Sequence, residues 1–149
     1  MRLFFVLAAL PMFAADPAGF QMWTSADLQA RAKTLKLNQY QQGVERLDNW
    51  GNHSAVLERL EGATPAEVHE ALSDVFVITS GETTLTVGGT VVDPVSGSAG
   101  EIRGKSIEGG ATKKLAAGDI VHIPAKTPHQ LSVEAGKQCT YVVLKVRSE

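Results

Sequence analysis

Apolar residues recur along this chain with two different periods. Leu28, Ala32 and Leu35 fall at helical spacing, Thr24 or Ser25 stands where an N-cap oxygen is needed, and Asp27 lies in the first turn. The spacing predicts a helix over residues 26–35, packed on the outside of whatever follows. Beyond it the helical period vanishes. Apolar stretches at 55–60, 74–79, 84–87, 119–123 and 140–146 are separated by Gly-rich or Pro-containing turns. Such short, evenly punctuated runs predict the strands of a sandwich or barrel, and Gly88-Gly89 predicts a hairpin-type turn. The expected class is all-β with a short N-terminal helix.

Two stretches fall outside this pattern. Residues 93–110 hold five glycines and few apolar anchors, which predicts a mobile loop rather than a second domain. It is either a tolerated surface insertion or a lid carrying Arg103 or Lys105 towards an anionic ligand. At the N-terminus, Met1-Arg2 precedes the apolar run Leu3–Leu10, with Ala14-Ala15 after it and the first acid at Asp16. One positive charge, an apolar run too short to span a bilayer and then small residues follow signal-peptide logic. Residues 1–15 are therefore expected to be a cleaved leader of a secreted or periplasmic protein, with no membrane partner in the mature form; the rival reading is an N-terminal core strand. Residues 16–50 follow as helix and lead-in, and 51–149 as the β-domain.

Composition changes this picture little. At 149 residues and 44% hydrophobic content, one domain has an adequate core. The formal net charge is −2, and Lys113-Lys114 is the sole consecutive basic pair, so no nucleic-acid partner is expected. Cys139 is the single cysteine and excludes an intrachain disulfide. Its apolar neighbours predict a buried, inert thiol.

The candidate chemistry lies in two segments. In Glu67-Val68-His69, the acid and the histidine share one strand face, and Asp74 opens the next apolar run, which leads to Gly81. In Gly118–His129, an apolar strand is stopped by Pro124 and Pro128, and His129 follows at once. Together these segments resemble the two motifs of the cupin superfamily. His69 fits the second His of the first motif, Asp74 its Glu and Gly81 its closing Gly, while Glu67 stands at the first His. Gly118, Pro124 and His129 fit the second motif, with Lys126 at the usual Gly and Val133 at the usual Asn.

The resemblance implies a cupin-type β-barrel, a double-stranded β-helix or jelly roll, with a divalent metal held by Glu67, His69, Asp74 and His129. Two carboxylates in the set, with Glu67 in place of a histidine, favour iron(II) or manganese, with zinc as a further candidate. The implied reactions are metal-dependent oxygenation or isomerisation of a small organic molecule in the barrel pocket. The substitutions at Glu67, Lys126 and Val133 keep a non-catalytic ligand-binding module as the alternative. A homodimer is expected on the same resemblance. Alternation puts His122 on the outside if Val121 and Ile123 face the core, whereas His53 reaches the cavity only if its strand face is inward. Lys126 either marks altered turn geometry or lies at the pocket rim.

Overall fold

The computed structural model describes residues 15–148, so the leader at 1–15 lies outside them but for Ala15. Helix α1 spans Ser25–Thr34, and Thr24 caps it: its Oγ1 accepts from the Asp27 N–H while Asp27 receives the Thr24 N–H. The helix lies on the outer face of strand β2 (His53–Leu60), where the Arg59 guanidinium donates to the carbonyls of Ala32 and Lys33. Strand β1 (Gln42–Asn49) pairs antiparallel with β2, so strand pairing starts before residue 51.

The remaining strands are β3 (Ala66–His69), β4 (Leu72–Val87), β5 (Thr90–Val92), β6 (Val95–Ser96), β7 (Glu101–Gly104), β8 (Ser106–Glu108), β9 (Ala111–Ala116), β10 (Ile120–Ile123), β11 (His129–Ser132) and β12 (Cys139–Arg147). One antiparallel sheet runs β1-β2-β12-β4-β11-β3-β7-β6, with β10 and β9 also paired to β4. Strand β4 makes it curl. Its first half, to Gly81, pairs with β12, and its second half pairs with β9 and β11. The expected strands at 74–79 and 84–87 are therefore one bent strand. Gly81 sits at the bend with φ +75, and a Cβ there would stand 2.0 Å from the Gln138 carbonyl oxygen, so only glycine fits.

Alternation then decides what fills the interior. Val56 and Leu60 of β2, Phe76 and Ile78 of β4, Leu131 of β11, and Cys139, Tyr141 and Val143 of β12 form one buried cluster. Cys139 has no exposed surface, and burial pushes its thiol up to about 12, which makes it inert.

Two local expectations are corrected. Residues 93–110 are not a loop: they form β6, β7 and β8, and β7 pairs with β3 from Ala66↔Gly104 to His69↔Glu101. Ile102 and Ile107 anchor them, and Gly104 lies where a Cβ would meet Val91 Cγ1 at 2.2 Å. Glycine permits that close approach, so its abundance here marks packing rather than mobility. Gly88-Gly89 do turn the chain with positive φ, but β5 pairs with β8 instead of folding back on β4. The turn is therefore not that of a hairpin.

Candidate metal centre at the mouth of the barrel

Each inward row of side chains changes character at one end of the barrel. Leu131 gives way to His129 on β11, Phe76 to Asp74 on β4, and Val143 to Lys145 on β12, while Glu67 and His69 arrive on β3. His69, Asp74 and His129 are buried; Glu67 is half-buried. One ligand atom each from Glu67, His69 and His129 lies within 4.8 Å of the others, a group that could hold a metal ion. Asp74 joins them from below, its Oδ2 at 3.1 Å from His69 Nε2 and 3.5 Å from His129 Nε2.

Both imidazoles are fixed from behind. His69 Nδ1 donates to Glu101 Oε2 at 2.8 Å, and His129 Nδ1 donates to the Thr127 carbonyl at 3.0 Å. An ionised carboxylate and a carbonyl only accept, so the hydrogens sit on Nδ1 and each Nε2 faces the site. That arrangement fits a metal, because Nε2 lone pairs and carboxylate oxygens converge. The turn before His129 is held as a glycine would hold it. Lys126 takes φ +65, and its N–H donates to the His69 carbonyl at 2.7 Å. Lys126 therefore keeps the turn geometry, with its side chain exposed.

Charges at the site are strongly coupled. Burial pushes the Asp74 carboxyl up, but the two imidazoles against it and the Lys145 charge outweigh it and hold the group well below the usual carboxylate range. Burial likewise pushes His69 down, and the Asp74 and Glu101 carboxylates on its two nitrogens reverse this and leave it raised. Arg103 Nη2 lies 3.3 Å from Glu67 Oε1 at the rim.

Two cavities adjoin these groups. One of about 510 Å³ opens past Arg46, Glu58, Glu67, His69, Glu101 and Lys145. A second, of about 20 Å³, lies deeper, between Glu58, Asp74, His129 and Tyr141. That is room for roughly one water. Glu58 is enclosed there: Tyr141 Oη and Gln42 Nε2 both donate to its Oε2 at 2.7 Å. Burial raises its carboxyl above the ordinary value despite those donors.

No protein-family model matches the sequence, and no curated protein does. Solved structures do. A conserved protein with a double-stranded β-helix domain from Klebsiella pneumoniae superimposes with TM-score 0.59 at 13% identity, covering 85% of this chain and 90% of that one. A Cupin 2 conserved barrel domain protein from Salinispora arenicola gives 0.54 at 14% identity, covering 88% and 90%. The fold is a cupin barrel. The polyketide cyclase RemF from Streptomyces resistomycificus, at TM-score 0.53 and 15% identity over 79% of each chain, is similar in the same way.

Within this cupin barrel the four residues expected at the site come together, and the outlying histidines do not join them. His53 is exposed, stacks on Trp50 at 4.7 Å and lies on the β2 face opposite Glu58; His122 is exposed beside buried Ile123. Arg103 does reach the rim, from a strand rather than a lid, while Lys105 is exposed and lines a separate cavity. Sequence reasoning missed Lys145, Glu58 and Glu101. The first two had a signal: each occupies the next inward step of an apolar row, Tyr141-Val143-Lys145 and Val56-Glu58-Leu60. Glu101 had none, since its glycine-rich surroundings carry no strand period.

Lys145 changes the charge expected of the site. Its Nζ donates to His69 Nε2 at 3.0 Å and to Asp74 Oδ1 and Oδ2 at 3.1 and 3.0 Å. Glu67, Asp74 and a divalent ion alone balance to about zero with neutral histidines. The ammonium adds one positive charge.

Proposed function

We propose that this cupin binds one divalent metal at the barrel mouth through His69, His129 and Glu67, with Asp74 beside them, and acts on a small organic molecule in the adjoining cavity. The observation that carries the reading is the pair of imidazoles anchored at Nδ1 with both Nε2 atoms turned to one point. Carboxylates in the donor set favour iron(II) or manganese over softer ions, with zinc as the alternative. Such an ion, when bound, supplies Lewis acidity or, as two histidines and one carboxylate, the open positions oxygenases use. The chain's own residues would do the rest. Glu58, raised by burial and facing both cavities, is placed to hold a proton near the ligand, and Arg46 and Arg103 line the entrance.

An enzymatic role, with isomerisation or oxygenation as the reaction class, draws support from a polyketide cyclase sharing the fold, and a fold alone does not assign a reaction. Export is read from the apolar leader at Leu3–Leu10, and a homodimer from the resemblance to cupins.

Elemental analysis of tag-free protein tests the reading. Near-stoichiometric iron or manganese in the parent, absent from the His69→Ala/His129→Ala variant, supports it. No metal in the parent after anaerobic reconstitution rejects it. One observation favours a second reading, a metal-free ligand-binding barrel: an ammonium already holds His69 Nε2.

A further inference from the structure

Lys145 follows Cys139, Tyr141 and Val143 on the inward face of β12, and its side chain is 24% exposed against 2% for Asp74. Its ammonium meets three acceptor atoms: His69 Nε2 and both Asp74 oxygens. His69 then has no spare lone pair, because Nε2 accepts from the ammonium and Nδ1 donates to Glu101. Asp74 Oδ2 and His69 Nε2 stand 3.1 Å apart. With the proton on Nδ1 both are acceptors, and they tolerate that separation because a cation lies between them. In a metal centre that cation is the metal.

We propose that Lys145 is a tethered resident cation of this site, and that a divalent ion binds His69 only by displacing its ammonium. This rests on the metal-binding reading above. A single Nε2 lone pair cannot serve an ammonium and a metal at once, and two positive charges this close repel in a buried setting. The displaced side chain has somewhere to go: it lines the cavity of about 510 Å³, whose walls carry Glu58, Glu67 and Glu101. The site therefore has two occupants for one position, and which one holds it depends on the free metal concentration.

The probe is cobalt(II), titrated into chelator-stripped protein and followed by its visible absorption, in the parent and in Lys145→Met. The expected result is binding about tenfold or more tighter in Lys145→Met. Equal or weaker binding in the variant overturns the proposal. A second measurement needs no metal: thermal unfolding in chelator of the parent, Lys145→Met and Asp74→Asn/Lys145→Met. A resident cation predicts a lower melting temperature for the single variant and recovery in the double variant, since removing the Asp74 charge removes the need for a counter-cation. An unshifted single variant, or no recovery, overturns the proposal. Should neither protein bind cobalt(II), manganese(II), iron(II) or zinc(II) while the unfolding pattern holds, the metal-binding reading fails and Lys145 stands as the permanent cation.

Discussion

Along β12 the inward side chains run Cys139, Tyr141, Val143 and then Lys145; along β4 they run back from Ile78 and Phe76 to Asp74. Floor and mouth of the barrel thus share strands, registers and alternation. They differ in what each row ends with. At the floor, burial of apolar surface rewards any side chain of suitable volume, so the residues are exchangeable within limits. At the mouth, buried charges are tolerable only as a set, because each carboxylate, imidazole and ammonium compensates another. This barrel thus obtains its stability and its chemistry from the same geometric rule, with a two-residue step separating one from the other.

The largest effect expected at the mouth is from Asp74→Ala. It leaves the Lys145 ammonium without its carboxylate, and removing one partner of a buried ion pair costs about 3–5 kcal/mol. Urea unfolding measures this, and adding Lys145→Met should recover much of the loss. At the floor, Leu131→Ala, one step along β11 from His129, should cost about 2–5 kcal/mol through the cavity it leaves, with no partner residue able to restore it. Rescue at the mouth and none at the floor would confirm the contrast; recovery of Leu131→Ala by a charge change would break it.

Smaller effects sharpen the same division. Glu101→Gln keeps an acceptor for His69 Nδ1 but removes its charge, and loss of an outer-shell carboxylate typically weakens metal binding about 10- to 100-fold. Metal titration should show this, with the fold unaffected by circular dichroism. Glu58 gives the pH signature. Its carboxyl is raised in the folded chain, so its contribution is present below the unfolded value of about 4.3 and is lost as pH rises through the folded value. Asp74 has the opposite sign: held low, it contributes above about 3.9 and is lost only as pH falls through its depressed value. Stability measured against pH should therefore lose the Glu58 slope in Glu58→Gln and keep the acid-side loss. Tyr141→Phe, which removes one donor to Glu58, should cost about 1–3 kcal/mol.

Much of this architecture was legible because alternation is a local rule. The runs at 55–60, 119–123 and 140–146 correspond to β2, β10 and β12, and the spacing from Glu67 to His69 to Asp74 carries three site residues into one region. What was not legible depended on pairing partners distant in sequence. A stretch rich in glycine reads as mobile until its partner is known, and β3 is the partner that converts residues 101–104 into a strand and brings Glu101 behind His69. Strand β1 carries no alternating apolar signal, because Val44 is exposed and Gly43 packs beneath Leu35. Lys145 was hidden differently. Alternation from Tyr141 and Val143 points it inward, but a lysine at a strand end is ordinarily solvated, and only Asp74 across on β4 makes the inward place tenable.

The most direct test is a crystal structure of the tag-free protein grown with manganese(II) and recorded at the manganese absorption edge. Metal binding by displacement of Lys145 predicts an anomalous peak between the Nε2 atoms of His69 and His129, beside Glu67, with the Lys145 ammonium moved off His69. No peak there, with Lys145 still joined to His69 and Asp74 at saturating manganese, would contradict it.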